Sequence, residues 1–390
     1  MQKKLLRVTT ISLSLDKLLK GQLKYLNQYY DVVGVASDIG SLEQVGLREG
    51  IRVVNLPMER DISFINDFLS LMKMIRLIIK EKPYIVHSNT PKASLIAMIA
   101  AWICRVPHRI YTVTGLRFET AEGSFKRLLI MMEKIACACA TKVIPEGDGV
   151  AATLRREKIT NKPLKKILNG SINGIDTSFF DPLCYDLETK QDLRKQLDID
   201  GNDFVFIFIG RLVKDKGINE LVAAFKKLTQ VTHLENYQIS NIKLLLVGPL
   251  EEKLDPILPK TLQEITTNKD IITVGYQDDV RAYLAISDTL VFPSYREGFP
   301  NVVMQAGAMG LPSIVTNITG CNEIIIEGEN GIIIPAKSDN AILEAMQFFL
   351  ENPGKMKQMA GNSRPMIENR YEQKKVWQTQ LEEYRKLEKR

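Results

Sequence analysis

A chain of 390 residues is long for one domain and suits two, and with 45% hydrophobic and 25% charged residues it is composed to bury sizeable cores and not to stay disordered. The longest apolar run, Ala93 to Cys104, falls short of the ~20 residues that cross a bilayer. The basic N-terminus reaches Asp16 without a small-residue cleavage site, so a first strand and a cytoplasmic location are expected, not a signal peptide. The net charge of +6 conceals an asymmetry: residues 1–175 hold 27 Lys and Arg against 15 Asp and Glu, whereas residues 176–390 hold 25 against 31. A basic first half suits an anionic partner such as a phosphate-rich lipid surface or a nucleic acid, and equally an ordinary solvated surface.

In chain order, short apolar runs alternate with helical periodicity, the pattern of a parallel α/β sheet. The first half predicts strands at Leu5–Thr10, Asp31–Ala36, Arg52–Leu56, Tyr84–His87, His108–Thr112, Lys142–Pro145 and Lys166–Leu168, with amphipathic helices between several of them, Ile62–Lys80 being the clearest. The second half predicts strands at Phe204–Ile209, Ile242–Val247, Ile271–Val274, Leu290–Phe292, Ser313–Val315 and Ile332–Ile334. A break rich in Gly, Ser, Asn, Asp and Pro spans Gly170–Pro182, and the polar segment Asp186–Asp203 follows it. The fold class is therefore α/β, with two doubly wound, Rossmann-like domains at 1–175 and 176–365. The charged helical tail Met366–Arg390 is expected to pack back on the first domain. Ligands of such sheets bind at the carboxyl ends of the strands, which for two facing domains means the cleft between them. Cys104, Cys137, Cys139, Cys184 and Cys321 form no C-x-x-C pair and read as reduced core residues.

Two segments carry chemistry. In FVFIFIGRLVKDKG (204–217) a buried strand ends at Gly210, followed by Arg211 and Lys216 just before a helix. Two fixed cations and a helix N-terminus are suited to a diphosphate on which negative charge grows as a sugar–phosphate bond breaks. In VFPSYREGFPNVVMQAGAMG (291–310) a strand ends at Pro293, Glu297 lies in the loop, and Pro300-Asn301 open a helix. A carboxylate there accepts hydrogen bonds from sugar hydroxyls, and the amides of Gly298 to Val302 suit a phosphate. The plainer alternatives are solvated loop cations and an acid that favours a helix start.

GRLVKDKG followed by SYREGFPNVVMQA closely resembles the donor site of family 4 glycosyltransferases, which have the GT-B fold. HSNTPKA (87–93), YTVTGLRFET (111–120) and GSINGID (170–176) resemble the branch that builds bacterial surface polysaccharides. The resemblance implies a retaining transferase that moves a hexose or N-acetylhexosamine from a nucleotide diphosphate sugar, with UDP expected, to a polyprenyl-diphosphate-linked saccharide. It implies that Gly210, Arg211 and Lys216 meet the diphosphate, that Glu297 contacts the sugar hydroxyls, and that Gly298, Phe299, Pro300, Asn301 and Val302 complete the donor loop. Gly248 and Tyr276 would lie near the nucleobase, and Thr319-Gly320 with Glu323 would form another loop beside the donor, Glu323 serving equally well as a helix cap. The family's second acid, expected to meet the ribose, is here Gln305, which keeps an acceptor but loses the charge. The family's histidine in the TV-x-G turn is here Thr114.

For the acceptor, the resemblance and the basic charge point to the loop Thr9 to Leu15, Lys92, Thr114, Arg117 and Glu119. The helix within Ser124–Ala140 sets Lys126, Arg127 and Lys134 beside an apolar face, which suits either a membrane surface or packing on the sheet. Of the three histidines, His87 ends a strand, either touching a ligand or satisfied within the fold; His108 is read as structural, and His233 lies in a polar connection. No metal or cofactor is implied, since no D-x-D stands at a strand end. An epimerase on the same fold and a non-catalytic nucleotide-sugar binder are the alternatives. A nucleic-acid binder lacks the aromatic interleaving it would need.

Overall fold

The computed structural model describes residues 2–59, 63–231, 239–253 and 255–388, so His233 lies outside the described residues. The chain divides into two compact units, one of Met1–Gly174 with Gln373–Arg390 and one of Ile175–Glu372. Each contains a six-stranded, wholly parallel sheet.

In the first unit the strands are β1 Lys4–Ile11, β2 Asp31–Ser37, β3 Arg52–Asn55, β4 Ile85–Ser88, β5 His108–Val113 and β6 Lys142–Pro145. Their spatial order is β3-β2-β1-β4-β5-β6, with the reversal between β1 and β4. The run Lys166–Leu168 forms no strand. It sits near two residues with positive φ, Leu168 and Ser171, and Ile167 enters the core instead of a ladder.

The second unit has β7 Phe204–Ile209, β8 Ile242–Val247, β9 Ile271–Thr273, β10 Thr289–Phe292, β11 Ser313–Thr316 and β12 Gly331–Ile334. Their order, β12-β11-β10-β7-β8-β9, repeats the same winding, with the reversal between β7 and β10. Strands such as FVFIFI are apolar on both faces because helices cover both sides of a parallel sheet.

The chain returns to the first unit at Gln373, seven residues later than the tail's sequence suggests. Pro353–Tyr371 is one helix, and its Ile367 and Tyr371 belong to the second unit's core. The last helix, Gln373–Glu388, buries Val376, Leu381 and Tyr384 against the first unit.

Candidate active site

In the second unit, the loops after β7 and β10 meet at the point where the strand order reverses, the place where doubly wound sheets open a crevice. Gly217 lets them meet. It adopts φ +73°, and a Cβ there would stand 2.2 Å from the Pro293 carbonyl oxygen. The Tyr295 amide then donates to the Asp215 carbonyl at 2.8 Å, and the Arg296 Nε lies 3.1 Å from an Asp215 carboxylate oxygen.

This contact brings Lys216 to Glu297. The ammonium forms an ion pair with Glu297 Oε1, and both side chains keep about a fifth of their surface in solvent. The buried Ser294 hydroxyl donates to the same carboxylate oxygen at 2.9 Å, so Glu297 is oriented from two sides. Burial pushes the nearby Cys321 thiol far above its ordinary value, and Glu297's charge adds to the effect; Cys321 is thus a neutral packing group, not a nucleophile. The helix Asn301–Ala308 begins beside Glu297, with Pro300 as its N-cap and no side chain capping its first amides. Those donors suit an anion.

The other residues expected in the donor loop fall into place unequally. The Gly210 amide donates to Val247 at 2.9 Å, the Leu212 amide to Pro249 at 2.9 Å and the Gly248 amide to Gly275 at 2.8 Å, so three strand-end loops extend the sheet's ladder. A Cβ on Gly248 would lie 1.9 Å from the Gly210 oxygen, which requires glycine there. Arg211 is exposed and makes no contact with Lys216 or Glu297 among the described residues. Tyr276 is exposed, its hydroxyl 2.9 Å from Asp278. Gly298 is half-buried, and a Cβ on Gly320 would stand 2.3 Å from its carbonyl oxygen, so the loop around Gly320 packs on the segment 298–300. The Glu323 carbonyl accepts from the Tyr371 hydroxyl at 2.9 Å. Asn301, Val302 and Gln305 are half-buried on the helix. The Phe299 side chain departs from the donor role: it is buried edge-on to Tyr371 at 5.5 Å, leaving only its backbone for a ligand. Local sequence pattern gave no sign of Ser294 as the group that orients Glu297.

In the first unit the acceptor candidates prove more tied down than their sequence positions suggest. Lys92 is 8% exposed and paired with Asp67 at 2.6 Å, so its charge is spent inside the protein and not presented to solvent. Thr114 donates to the Asn89 carbonyl at 2.9 Å, and Glu119 accepts from the Thr153 hydroxyl at 2.9 Å. Arg117 is exposed on a short 3-10 turn, Arg117–Thr120, and lines a small pocket with Lys92, Phe118, Leu129, Met132 and Glu133. Burial pushes the Glu133 carboxyl up to about 7, opposed by the hydrogen bond from Tyr111. His87 is fully buried, with Nδ1 2.5 Å from the Tyr384 hydroxyl and Nε2 2.7 Å from Thr112 Oγ1. Burial, then the charges of Arg7 and Lys142, push its pKa well below the ordinary histidine value, so it is a neutral, satisfied part of the fold. His108 packs edge-on to Tyr84 at 4.6 Å.

A winding repeated in two sheets, with a cation–carboxylate pair and an uncapped helix start at one switch point, is an arrangement suited to an anionic ligand. Comparison with known proteins gives the class its name. Residues 189–366 match the family model for glycosyl transferases group 1, and residues 17–146 match that for glycosyl transferase 4-like proteins. The chain is 36% identical over 381 residues, 96% of its length and 95% of the relative's, to the capsular polysaccharide biosynthesis glycosyltransferase CapM of Staphylococcus aureus. It is 29% identical, over 82% of its own length and 80% of the relative's, to the UDP-Gal:alpha-D-GlcNAc-diphosphoundecaprenol alpha-1,3-galactosyltransferase of Escherichia coli. In three dimensions it resembles Anabaena HepE in complex with UDP and glucose, with TM-score 0.80 at 18% identity over 98% of this chain and 100% of the other, a likeness of fold. The chain belongs to the family 4 glycosyltransferases, with the GT-B fold, in the branch whose relatives serve bacterial surface polysaccharides.

Proposed function

We propose that this enzyme transfers a hexose or N-acetylhexosamine from a UDP-sugar to a lipid-linked saccharide, with retention of configuration, at the cytoplasmic face of the membrane. The observation that carries the proposal is the Lys216–Glu297 pair at the β7/β10 switch point, beside the amides that open the helix Asn301–Ala308. In the free enzyme the two charges neutralise each other. A diphosphate entering this site competes for the Lys216 ammonium and releases Glu297, held by Ser294, to accept hydrogen bonds from the sugar. Arg211, exposed on the same loop, adds a second cation on closing over the donor.

As the glycosidic bond breaks, charge collects on the departing phosphate, and Lys216, Arg211 and the helix amides stabilise it there. The groups bonded to Glu297 are an ammonium and a hydroxyl, which hold it as a charged hydrogen-bond acceptor. The acceptor's proton passes to the leaving phosphate on the same face of the sugar. In this reading the phosphate charge is met by side chains and amides, so transfer continues in the presence of a metal chelator.

The lipid-linked acceptor is drawn from the Escherichia coli relative, whose name specifies a diphosphoundecaprenol substrate. The test is a panel of UDP- and GDP-sugars offered with a polyprenyl-diphosphate saccharide and EDTA, following nucleotide release and lipid product. Lipid-dependent release of UDP is the expected result. Interconversion of the donor without lipid would mean an epimerase, and binding without turnover a degenerate transferase.

A further inference from the structure

The helix Phe64–Glu81 carries apolar residues on two faces, and only one of them is used by the fold. Met74 and Ile78 are buried in the first unit's core, with Leu71, Ile75 and Leu77 packed against it. On the other side Phe64 is 80% exposed, Ile65 76%, Phe68 60% and Leu69 51%. At 3.6 residues per turn these four, with Met72 and the exposed Ile79, fall within one arc of roughly 140°. A contiguous exposed apolar stripe of this kind is uncommon on a soluble surface and marks an interaction face.

Charge identifies what it meets. Lys80 and Lys73, both exposed, border the stripe along one side, and the exposed Arg76 stands within it. The helix's two carboxylates are engaged elsewhere, Asp67 with Lys92 at 2.6 Å and Glu81 with Lys4 at 2.8 Å and Arg52 at 2.5 Å. An apolar stripe with Lys73, Arg76 and Lys80 along it, the neighbouring acid Glu59 being hydrogen-bonded to Asn66 at 2.8 Å, suits a membrane surface containing anionic lipid: the rings enter the acyl boundary and the basic side chains reach the headgroups. Among the described residues no helix is long and apolar enough to cross a membrane, so this helix would lie in the interface. The Asp67–Lys92 pair also fastens its first turns beside the helix Pro91–Ile103, where the candidate acceptor residues begin.

The helix Gly123–Cys139, the anchor that the sequence offers, turns Leu129, Ala136 and Cys137 into the core and leaves Phe125, Met131 and Ile135 exposed, a smaller apolar surface than Phe64, Ile65, Phe68 and Leu69 present. We infer that the helix Phe64–Glu81 is the membrane-docking element, seating the first unit on anionic lipid so that a lipid-borne diphosphate acceptor arrives beside it. Its purpose rests on the lipid-linked acceptor proposed above; the docking itself is testable without it.

The experiment is flotation of the full-length protein with vesicles of phosphatidylcholine alone and with about one-third phosphatidylglycerol. The wild type should float with the anionic vesicles. Phe64→Asp/Phe68→Asp and Arg76→Glu/Lys80→Glu should each lower partitioning roughly tenfold or more, because one removes the insertion and the other the headgroup contact. Leu47→Asp, at another strongly exposed apolar position, should change nothing. All four proteins should bind UDP alike by calorimetry, which also checks that the variants fold. Equal flotation of wild type and both double variants, or no flotation of the wild type, would overturn the inference. So would a wild-type dimer that the Phe64→Asp/Phe68→Asp change dissociates, since the stripe would then meet a second copy. A protein that fails to float yet glycosylates the lipid acceptor in detergent breaks only the docking; one that floats without transferring sugar breaks only the proposed function.

Discussion

The two sheets share one winding, and yet the places where they reverse hold opposite kinds of chemistry. Between β7 and β10 the adjoining loops leave a lysine and a carboxylate partly open to solvent, with uncapped helix amides beside them. Between β1 and β4 the facing residues are Arg7 and His87, both fully buried beneath the C-terminal helix. Arg7 reaches Gln22 at 3.1 Å and the Tyr384 hydroxyl at 3.3 Å, and the same hydroxyl holds His87. Topology thus supplies a reversal twice: in the second unit charged groups gather in the loops beyond the strands, and in the first a buried polar cluster lies within the strands themselves.

The comparison breaks first at Lys216. Lys216→Ala should lower kcat/KM for the donor by about 10²–10³, roughly 2.7–4 kcal/mol, by analogy with removing one fixed donor to a developing anion. Steady-state turnover near the wild-type rate would show that this switch point is as structural as its counterpart.

Next comes a carboxyl of the first unit. Glu133 has a folded-state pKa of about 7 against an ordinary 4.5, so the unfolded chain ionises first and stability is lost as pH rises between those values. Glu133→Gln removes that loss. Its stability advantage should be small near pH 5 and grow to at most about 3 kcal/mol by pH 8 in urea unfolding. The same difference at both pH values would mean that the carboxyl is ionised within the fold.

Tyr384→Phe tests the buried cluster. It removes the hydroxyl shared by His87 and Arg7 and should cost about 1–3 kcal/mol of unfolding free energy while leaving UDP affinity unchanged. Loss of UDP binding would mean that the buried cluster and the donor site are not separable. The smallest effect is expected from Gln305→Glu, which restores the family's charge and should tighten UDP-sugar binding severalfold, about 1 kcal/mol. Unchanged or weaker binding in calorimetry would show that this part of the site has been rebuilt.

The strands were legible because each is a short run of β-branched, leucine and aromatic residues ending in a turn signal, and a buried parallel strand needs little more. Lys166–Leu168 shows where that reading ends: three residues with two apolar side chains fit a core loop as readily as a ladder. The Lys216–Glu297 pair was legible because each residue lies just past a buried strand, where the winding brings loops together. Lys92 was not. Its partner Asp67 stands on another helix, and no local pattern records that pairing. The helix Phe64–Glu81 was visible as amphipathic, but periodicity cannot tell which of two apolar faces the fold will cover.

The segment from Gln373 on has a consequence for how the chain is made. The first unit closes only when this segment arrives: Tyr384 meets Arg7, and Trp377 packs on Tyr25 with ring centroids 5.6 Å apart and donates from Nε1 to Asn173 at 2.7 Å. The second unit contains no such late piece. A chain truncated before residue 373 should therefore keep all six strands of the first unit yet expose the apolar face that Val376, Leu381 and Tyr384 cover, which makes it a target for proteases and chaperones.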